Sequence, residues 1–166
     1  NGINLASSHA IVDSNRFEDI MGHGIYIDAN STPEIRGNTL TDINQYGIYV
    51  DGADDISITG NTISSRYSSG IYATNTENLT ISDNVIVENN DQGIYLYQYN
   101  LSATITSNTI EGNNSRGISI DWYNDYITIS DNSITENGGD GIYFYGYNDY
   151  TTISDNSITE NGGDGI

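Results

Sequence analysis

Cysteine and lysine are both missing from this 166-residue chain, proline and tryptophan occur once each, and the only basic residues are Arg16, Arg36, Arg66 and Arg116. Without cysteine no disulfide framework can form. Against four arginines stand 23 Asp and Glu, for a net charge of −19. Such a chain excludes nucleic acid as a partner, because affinity for a phosphate backbone needs Lys and Arg to displace its counterions. No run of 18 apolar residues occurs, so membrane insertion by a helix is excluded as well. A helical stripe of period 3.6 is also absent. What the chain has in excess is asparagine (22), glycine (18) and tyrosine (14).

These residues fall in columns. Gly-Ile recurs at Gly2, Gly24, Gly47, Gly70, Gly93, Gly117, Gly141 and Gly165, a spacing of 22 to 24 residues. Asparagine recurs in step at Asn15, Asn38, Asn61, Asn84, Asn108, Asn132 and Asn156. A β-branched residue precedes each by three positions (Val12, Ile35, Ile58, Ile81, Ile105, Ile129, Ile153). A large apolar residue follows each by two (Phe17, Leu40, Ile63, Ile86, Ile110, Ile134, Ile158). Alternation of period two marks three short strands per repeat, namely Gly-Ile-Tyr-Ile, the Ile-X-Ile before the Asn, and the apolar residue after it with its neighbours. Turns rich in Asn, Gly, Asp and Ser separate them.

One such coil cannot bury its own apolar face, so coils must stack, each strand pairing with those above and below at about 4.8 Å. The expected fold is all-β: a right-handed single-stranded parallel β-helix of about seven coils, one domain spanning residues 1–166. The isoleucine columns fill its interior and the Asn column hydrogen-bonds along the axis. The chain starts and stops in mid-repeat, at Gly2-Ile3 and Gly165-Ile166, which reads as an excerpt of a longer array without end caps. Open coils of this kind also suggest a filament subunit stacking end to end.

The pattern Ile-X-X-Asn-X-Ile followed by Gly-X-Gly-Ile-Tyr resembles the parallel β-helix repeat of the pectate-lyase-like superfamily, and the resemblance covers the whole chain. It implies the fold. Function it implies only broadly, because the superfamily holds polysaccharide lyases, polygalacturonases, alginate epimerases, tailspikes and surface proteins. Its enzymes bind polysaccharide along the first sheet.

Alternation points the Tyr of Gly-Ile-Tyr-Ile outward, giving a stripe of Tyr26, Tyr49, Tyr72, Tyr95 and Tyr143, interrupted by Asn4 and Ser119. Two residues further on stand Asp28, Asp51, Thr74, Tyr97, Asp121 and Tyr145, and the next turn adds Tyr99, Trp122, Tyr123, Tyr126, Tyr147 and Tyr150. Aromatic rings beside carboxylates suit sugars, whose flat faces stack on rings and whose hydroxyls donate to carboxylates. The expected carbohydrate contacts are Tyr26, Tyr49, Tyr72, Tyr95, Tyr97, Asp121, Trp122, Tyr143 and Tyr145. Cross-strand stacking of tyrosines that merely stabilises the sheet is the competing reading.

No cofactor is required by this pattern. Calcium, a hard cation with oxygen ligands, is the one candidate, at Asp131, Glu136, Asp140, Asp155, Glu160 and Asp164. Four Asn-X-Ser/Thr sequons, at Asn30, Asn78, Asn100 and Asn113, fall in turn segments and suit glycosylation of a secreted protein.

Catalysis is less well marked. Lyases of the superfamily need an Arg or Lys base, but the four arginines occupy four different columns, with Arg116 alone next to the Tyr stripe. The polygalacturonase order of Asp-Asp, Gly-His-Gly and Arg-X-Lys is not kept, since Gly22-His23-Gly24 precedes Asp54-Asp55 and Lys is absent. Alginate epimerases use Tyr, His and acid on this sheet. His23, Tyr26, Asp28 and Asp51 are the corresponding candidates here, although the epimerase Asp-Pro-His motif is missing. The duplicated segment 123–142, repeated as 147–166 with one change, Ile127 to Thr151, argues against unique catalytic residues there. The sequence thus favours an extracellular or cell-surface structural or adhesive solenoid that binds polysaccharide. A carbohydrate-active enzyme using the same face is the alternative.

Overall fold

A computed structural model describes residues 1–166 in full. Twenty-one strands of three to five residues form three parallel seven-stranded sheets. Strands of the first sheet run from Ile3–Leu5 and Ile25–Ile27 to Ile142–Tyr145, those of the second from Ile11–Asp13 to Thr152–Ser154, and those of the third from Arg16–Glu18 to Ser157–Thr159. Each strand pairs with its equivalents one coil away, so the order within a sheet advances by three strands at a time. The result is the expected β-solenoid.

Register places like on like. Ile25 faces Ile48 and Tyr26 faces Tyr49 in the first sheet, Ile35 faces Ile58 in the second, and Leu40 faces Ile63 in the third. A one-residue slip would turn every isoleucine outward, so the hydrophobic alternation specifies the register. Inward side chains form a core of 30 buried residues, and Ile25, Ile48, Ile71, Ile94, Ile118 and Ile142 have no exposed surface at all. Each such isoleucine contributes roughly 1.5–3 kcal/mol relative to an exposed one.

Gly70, like the glycines stacked with it, has a steric explanation. A Cβ at Gly70 would lie 2.6 Å from Ile86 Cγ2 and 2.9 Å from the carbonyl oxygen of Gly93 in the next coil. The chain passes so close to the third sheet at this corner that no side chain fits.

Three asparagine ladders are present where the repeat announced one. The expected column is intact at the corner between the second and third sheets: Asn38 Nδ2 donates to Asn61 Oδ1 at 3.0 Å, and the same contact continues through Asn84, Asn108, Asn132 and Asn156. A second ladder, Asn89–Asn113–Asn137–Asn161, lies between the third and first sheets. A third, Asn100–Asn124–Asn148, lies between the first and second sheets.

The second ladder begins at an irregular coil. Register shifts between Leu40 and Ile43, and Ile43 pairs with Ser65. Asn90 N–H donates to Ser65 O just as Asn114 N–H donates to Asn89 O, so the column reads Ile43, Ser65, Asn89 and onward. The corner before it is otherwise built from left-handed residues, Asp19, Asp42, Glu88, Glu136 and Glu160, with φ between 53 and 58°. Ser65 skips that conformation. One extra residue is thereby pushed into the following turn, where Arg66 reaches back to Asp42 at 3.0 Å and Asp19 at 3.1 Å.

Candidate functional site: the aromatic face of the first sheet

The outward tyrosines of the first sheet form a continuous stack. Ring centroids are 5.2 Å apart for Tyr26–Tyr49, 5.1 Å for Tyr49–Tyr72 and 5.3 Å for Tyr72–Tyr95, and Tyr97 joins at 5.7 Å from Tyr95. A second column, one residue before each glycine, thickens it. From there Tyr46 stacks on Tyr72 at 4.7 Å, and His23 lies parallel to Tyr46 at 5.5 Å and 4.9 Å from Tyr49. Mutual packing leaves these rings half-buried, so the stripe is a packed aromatic layer. Burial, with the carboxylates nearby as a smaller cause, raises the phenol pKa values of Tyr26, Tyr46, Tyr49, Tyr72 and Tyr95 above 10, most of all at Tyr72 and Tyr95.

The four acid–base candidates share this face without forming a relay. His23 stacks on Tyr26 at 6.0 Å, but no hydrogen bond joins His23, Tyr26, Asp28 and Asp51. Asp28 Oδ1 accepts from the N–H of Ala29 instead. His23 is part of the aromatic stack, and its Nδ1 is enclosed without a partner. Burial, then the positive chain terminus, lowers its pKa below 6.5 and favours the neutral ring.

The stripe breaks at Ser119, as the sequence indicated, and the break is filled. Arg116, expected beside the stripe, lies on it: its guanidinium sits 3.5 Å from the ring centroid of Tyr143 and 3.4 Å from Asp140. Under it Ser119 Oγ donates to Asp121 Oδ1 at 3.0 Å, and Tyr95 donates from its hydroxyl to Asp121 Oδ2 at 3.0 Å. This polar knot of Tyr95, Ser119, Asp121, Arg116 and Tyr143 is the feature that sequence reasoning missed. A signal was available, since the break at Ser119 and the one arginine of the column before the glycines share a coil.

Of the remaining carbohydrate candidates, Tyr145 crosses Trp122 edge to face at 4.7 Å, at the rim where the sheet meets its first corner. No cleft opens on this face; the one concavity lies at the end of the last coil, against Ile158 and Gly165. The calcium candidates do not converge. Asp131 and Asp155 stack at one corner, Glu136 and Glu160 at another, and Asp140 and Asp164 at a third point, with no three acidic or histidine side chains grouped to hold a metal. Two sequons also need correction. Asn100 and Asn113 are buried, with amides committed to ladders, whereas Asn30 and Asn78 are exposed.

Solved structures with the same fold include three crystal structures of the periplasmic alginate epimerase AlgG. A double mutant superposes with a TM-score of 0.75 at 22% identity over 87% of this chain, and a single mutant with a TM-score of 0.67 at 17% identity over 94%. The chain spans 38% and 50% of the length of those two structures. No curated protein sequence matches it. The family model described as the right-handed β-helix region matches residues 1–158. The chain belongs to the right-handed β-helix family.

Proposed function

We propose that this chain is a carbohydrate-binding β-solenoid of an extracellular or cell-surface protein, with the outer face of the first sheet as its contact surface. The observation that carries this reading is the unbroken aromatic layer from His23 to Tyr97, flanked by the carboxylates of Asp28, Asp51 and Asp121. Phenol hydroxyls and carboxylates on a rigid surface match the hydroxyl pattern of a sugar chain, and ring edges accept its apolar faces. The fold neighbour AlgG, a periplasmic epimerase of alginate, adds support for a glycan ligand and a location outside the cytoplasm. Exposure of the sequons at Asn30 and Asn78 agrees with secretion. Affinity electrophoresis in gels loaded with neutral, acidic and amino polysaccharides tests the reading. Retardation by at least one glycan, lost in a Tyr49→Ser/Tyr72→Ser double variant, is expected; equal mobility in every gel overturns it.

An enzymatic reading has one specific observation in its favour. His23 keeps an enclosed, unpartnered Nδ1 and a neutral ring beside Tyr26, near Asp28 and Asp51. That arrangement provides a base and an acid for proton transfer at a sugar carbon. Incubation with alginate followed by proton NMR decides it, because epimerisation changes the uronate composition and lyase action creates an unsaturated end. Unchanged spectra eliminate both activities on that substrate.

A further inference from the structure

The corner between the first and second sheets changes character along the solenoid. One column there reads Gly52, Asn75, Tyr99, Tyr123, aligned by matching backbone bonds from Gly52 N to Thr74 O, Asn75 N to Gln98 O and Tyr99 N to Trp122 O. All four residues are left-handed, with φ of 71, 55, 55 and 54°. A second column reads Asp55, Asn78, Ser102, Tyr126, Tyr150, again left-handed throughout, with φ of 52 to 58°. Gly and Asn are the residues this backbone favours; a bulky ring there is strained, by roughly 1 kcal/mol or more per residue. The upstream coils show the cheaper solution, and the downstream coils place tyrosine there four times. Departures of this kind from local preference mark positions kept for something other than folding.

What they create is an exposed aromatic comb. Tyr99, Tyr123 and Tyr147 stack at 5.4 Å steps, and Tyr126 lies parallel to Tyr150 at 4.8 Å. Tyr147 is 67% exposed and Tyr150 73%, in contrast with the half-buried rings of the first sheet. Asp125 and Asp149 stand between the two columns and Asp121 at the rim, none of them in an ion pair. All four arginines of the chain are paired with carboxylates elsewhere. The comb is therefore rich in acceptors and π-electrons and holds no cation. The molecule itself shows what such a surface takes: Arg116 lies on the ring of Tyr143 with its edge towards Asp140.

We propose that this corner, formed by Tyr99, Tyr123 and Tyr147 with Tyr126 and Tyr150, is a docking surface for a basic polypeptide, whose guanidinium groups seat on the tyrosine rings and donate to Asp125 and Asp149. Arginine is the matching group because it is planar, donates only, and pairs with rings and carboxylates together. This surface is separate from the first-sheet face and does not rest on the glycan reading.

Trp122, the single tryptophan, lies at the comb, with its ring 6.3 Å from that of Tyr123, and reports on it directly. The test is titration of the protein with hexa-arginine at physiological ionic strength, followed by Trp122 fluorescence and calorimetry. A saturable fluorescence change is expected, with weaker binding of hexalysine. Non-specific attraction to a chain of charge −19 is controlled by the variant Tyr123→Asn/Tyr126→Asn/Tyr147→Asn/Tyr150→Asn. It keeps the charge and uses a residue the upstream coils already hold at these corners, so it should fold, as circular dichroism will check. At least tenfold weaker binding by this variant is expected, while Tyr49→Ser/Tyr72→Ser binds as the parent does. Equal affinity of the corner variant and the parent overturns the proposal, as does a neutral oligosaccharide that shifts Trp122 emission at lower concentration than the peptide.

Discussion

The backbone N–H and the side-chain Nδ2 of Asn61 both donate to one oxygen, Asn84 Oδ1, at 2.9 and 3.0 Å. Asn84 Nδ2 in turn donates to Ile58 O and Asn108 Oδ1. Each rung thus satisfies a turn N–H that has no strand partner, and the ladder is buried from Asn38 to Asn132. Replacing Asn84 with Ala orphans the Asn61 N–H and removes a donor from Ile58 O, which should cost about 3 kcal/mol. Asn114→Ala, which breaks an exposed Asn–Asn contact to Asn90, should cost under about 1 kcal/mol. Urea denaturation of the two variants checks the contrast, and equal losses would mean that the ladder is not what holds this corner.

That ladder was legible in the sequence because Asn occupies every coil from Asn15 to Asn156. The other two were not, because they run through only part of the chain. Upstream, Ile43 and Ser65 hold the second column and Thr76 caps the third, its hydroxyl donating to Asn100 Oδ1. The outward direction of Tyr26 to Tyr95 followed from alternation alone. Their mutual burial did not, since it depends on side-chain rotation and on the flanking column of His23 and Tyr46. Arg116 was expected only beside the stripe for a similar reason: its backbone lies three residues before Ser119, but its long side chain crosses to Tyr143.

Gly93→Ala tests the closest approach in the coil. The added Cβ would lie 2.6 Å from Ile110 Cγ2 and 2.8 Å from Gly117 O. Because the second atom is a backbone oxygen that accepts from the N–H of Ile94, relief by side-chain rotation alone is not available. Destabilisation of about 2–3 kcal/mol is expected, within the range for overpacked cores. A melting temperature equal to that of the parent protein would show that the coils can spread.

His23 gives the fold a pH dependence of known sign. Burial lowers its folded pKa below 6.5, so the unfolded chain takes up the proton first as pH falls. Its contribution to stability is complete above about pH 6.5 and is lost between that pH and the lower folded value. Many carboxylates also titrate in the acid range, so the measurement is a difference: stability of the parent minus that of His23→Phe, from pH 8 to pH 5. The difference should shift against the parent as pH falls through this window. A flat difference curve would contradict a depressed pKa, and NMR titration of His23 would settle the value.

Stacked like charges make the protein sensitive to salt but not to one metal. Asp131 over Asp155 and Glu136 over Glu160 repel across one coil, and no arginine pairs with them. Screening should therefore raise the melting temperature as sodium chloride goes from low to about 0.15 M, where the Debye length is about 8 Å. With no three carboxylates grouped, calcium should stabilise no more than magnesium at equal ionic strength. A saturable rise specific to calcium would locate a site that this chain's carboxylates do not form on their own.

Tyr95 should be among the last tyrosines to ionise. Its ring is half-buried, and its hydroxyl donates to Asp121 Oδ2, an interaction only the neutral phenol can make. Burial first, and the Asp121 charge second, push its pKa well above 10. A raised folded pKa means stability that is fully present below about pH 10 and drains away as pH rises toward the folded value, because the unfolded chain loses the proton first. Ultraviolet titration should accordingly show a late wave, in which half-buried rings, Tyr72 and Tyr95 above all, ionise together with unfolding. Asp121→Asn keeps an acceptor oxygen and removes the charge. It should lower the pKa of Tyr95 and draw the late wave to lower pH. If the late wave does not move, burial alone protects Tyr95, and the contact to Asp121 does not govern its proton.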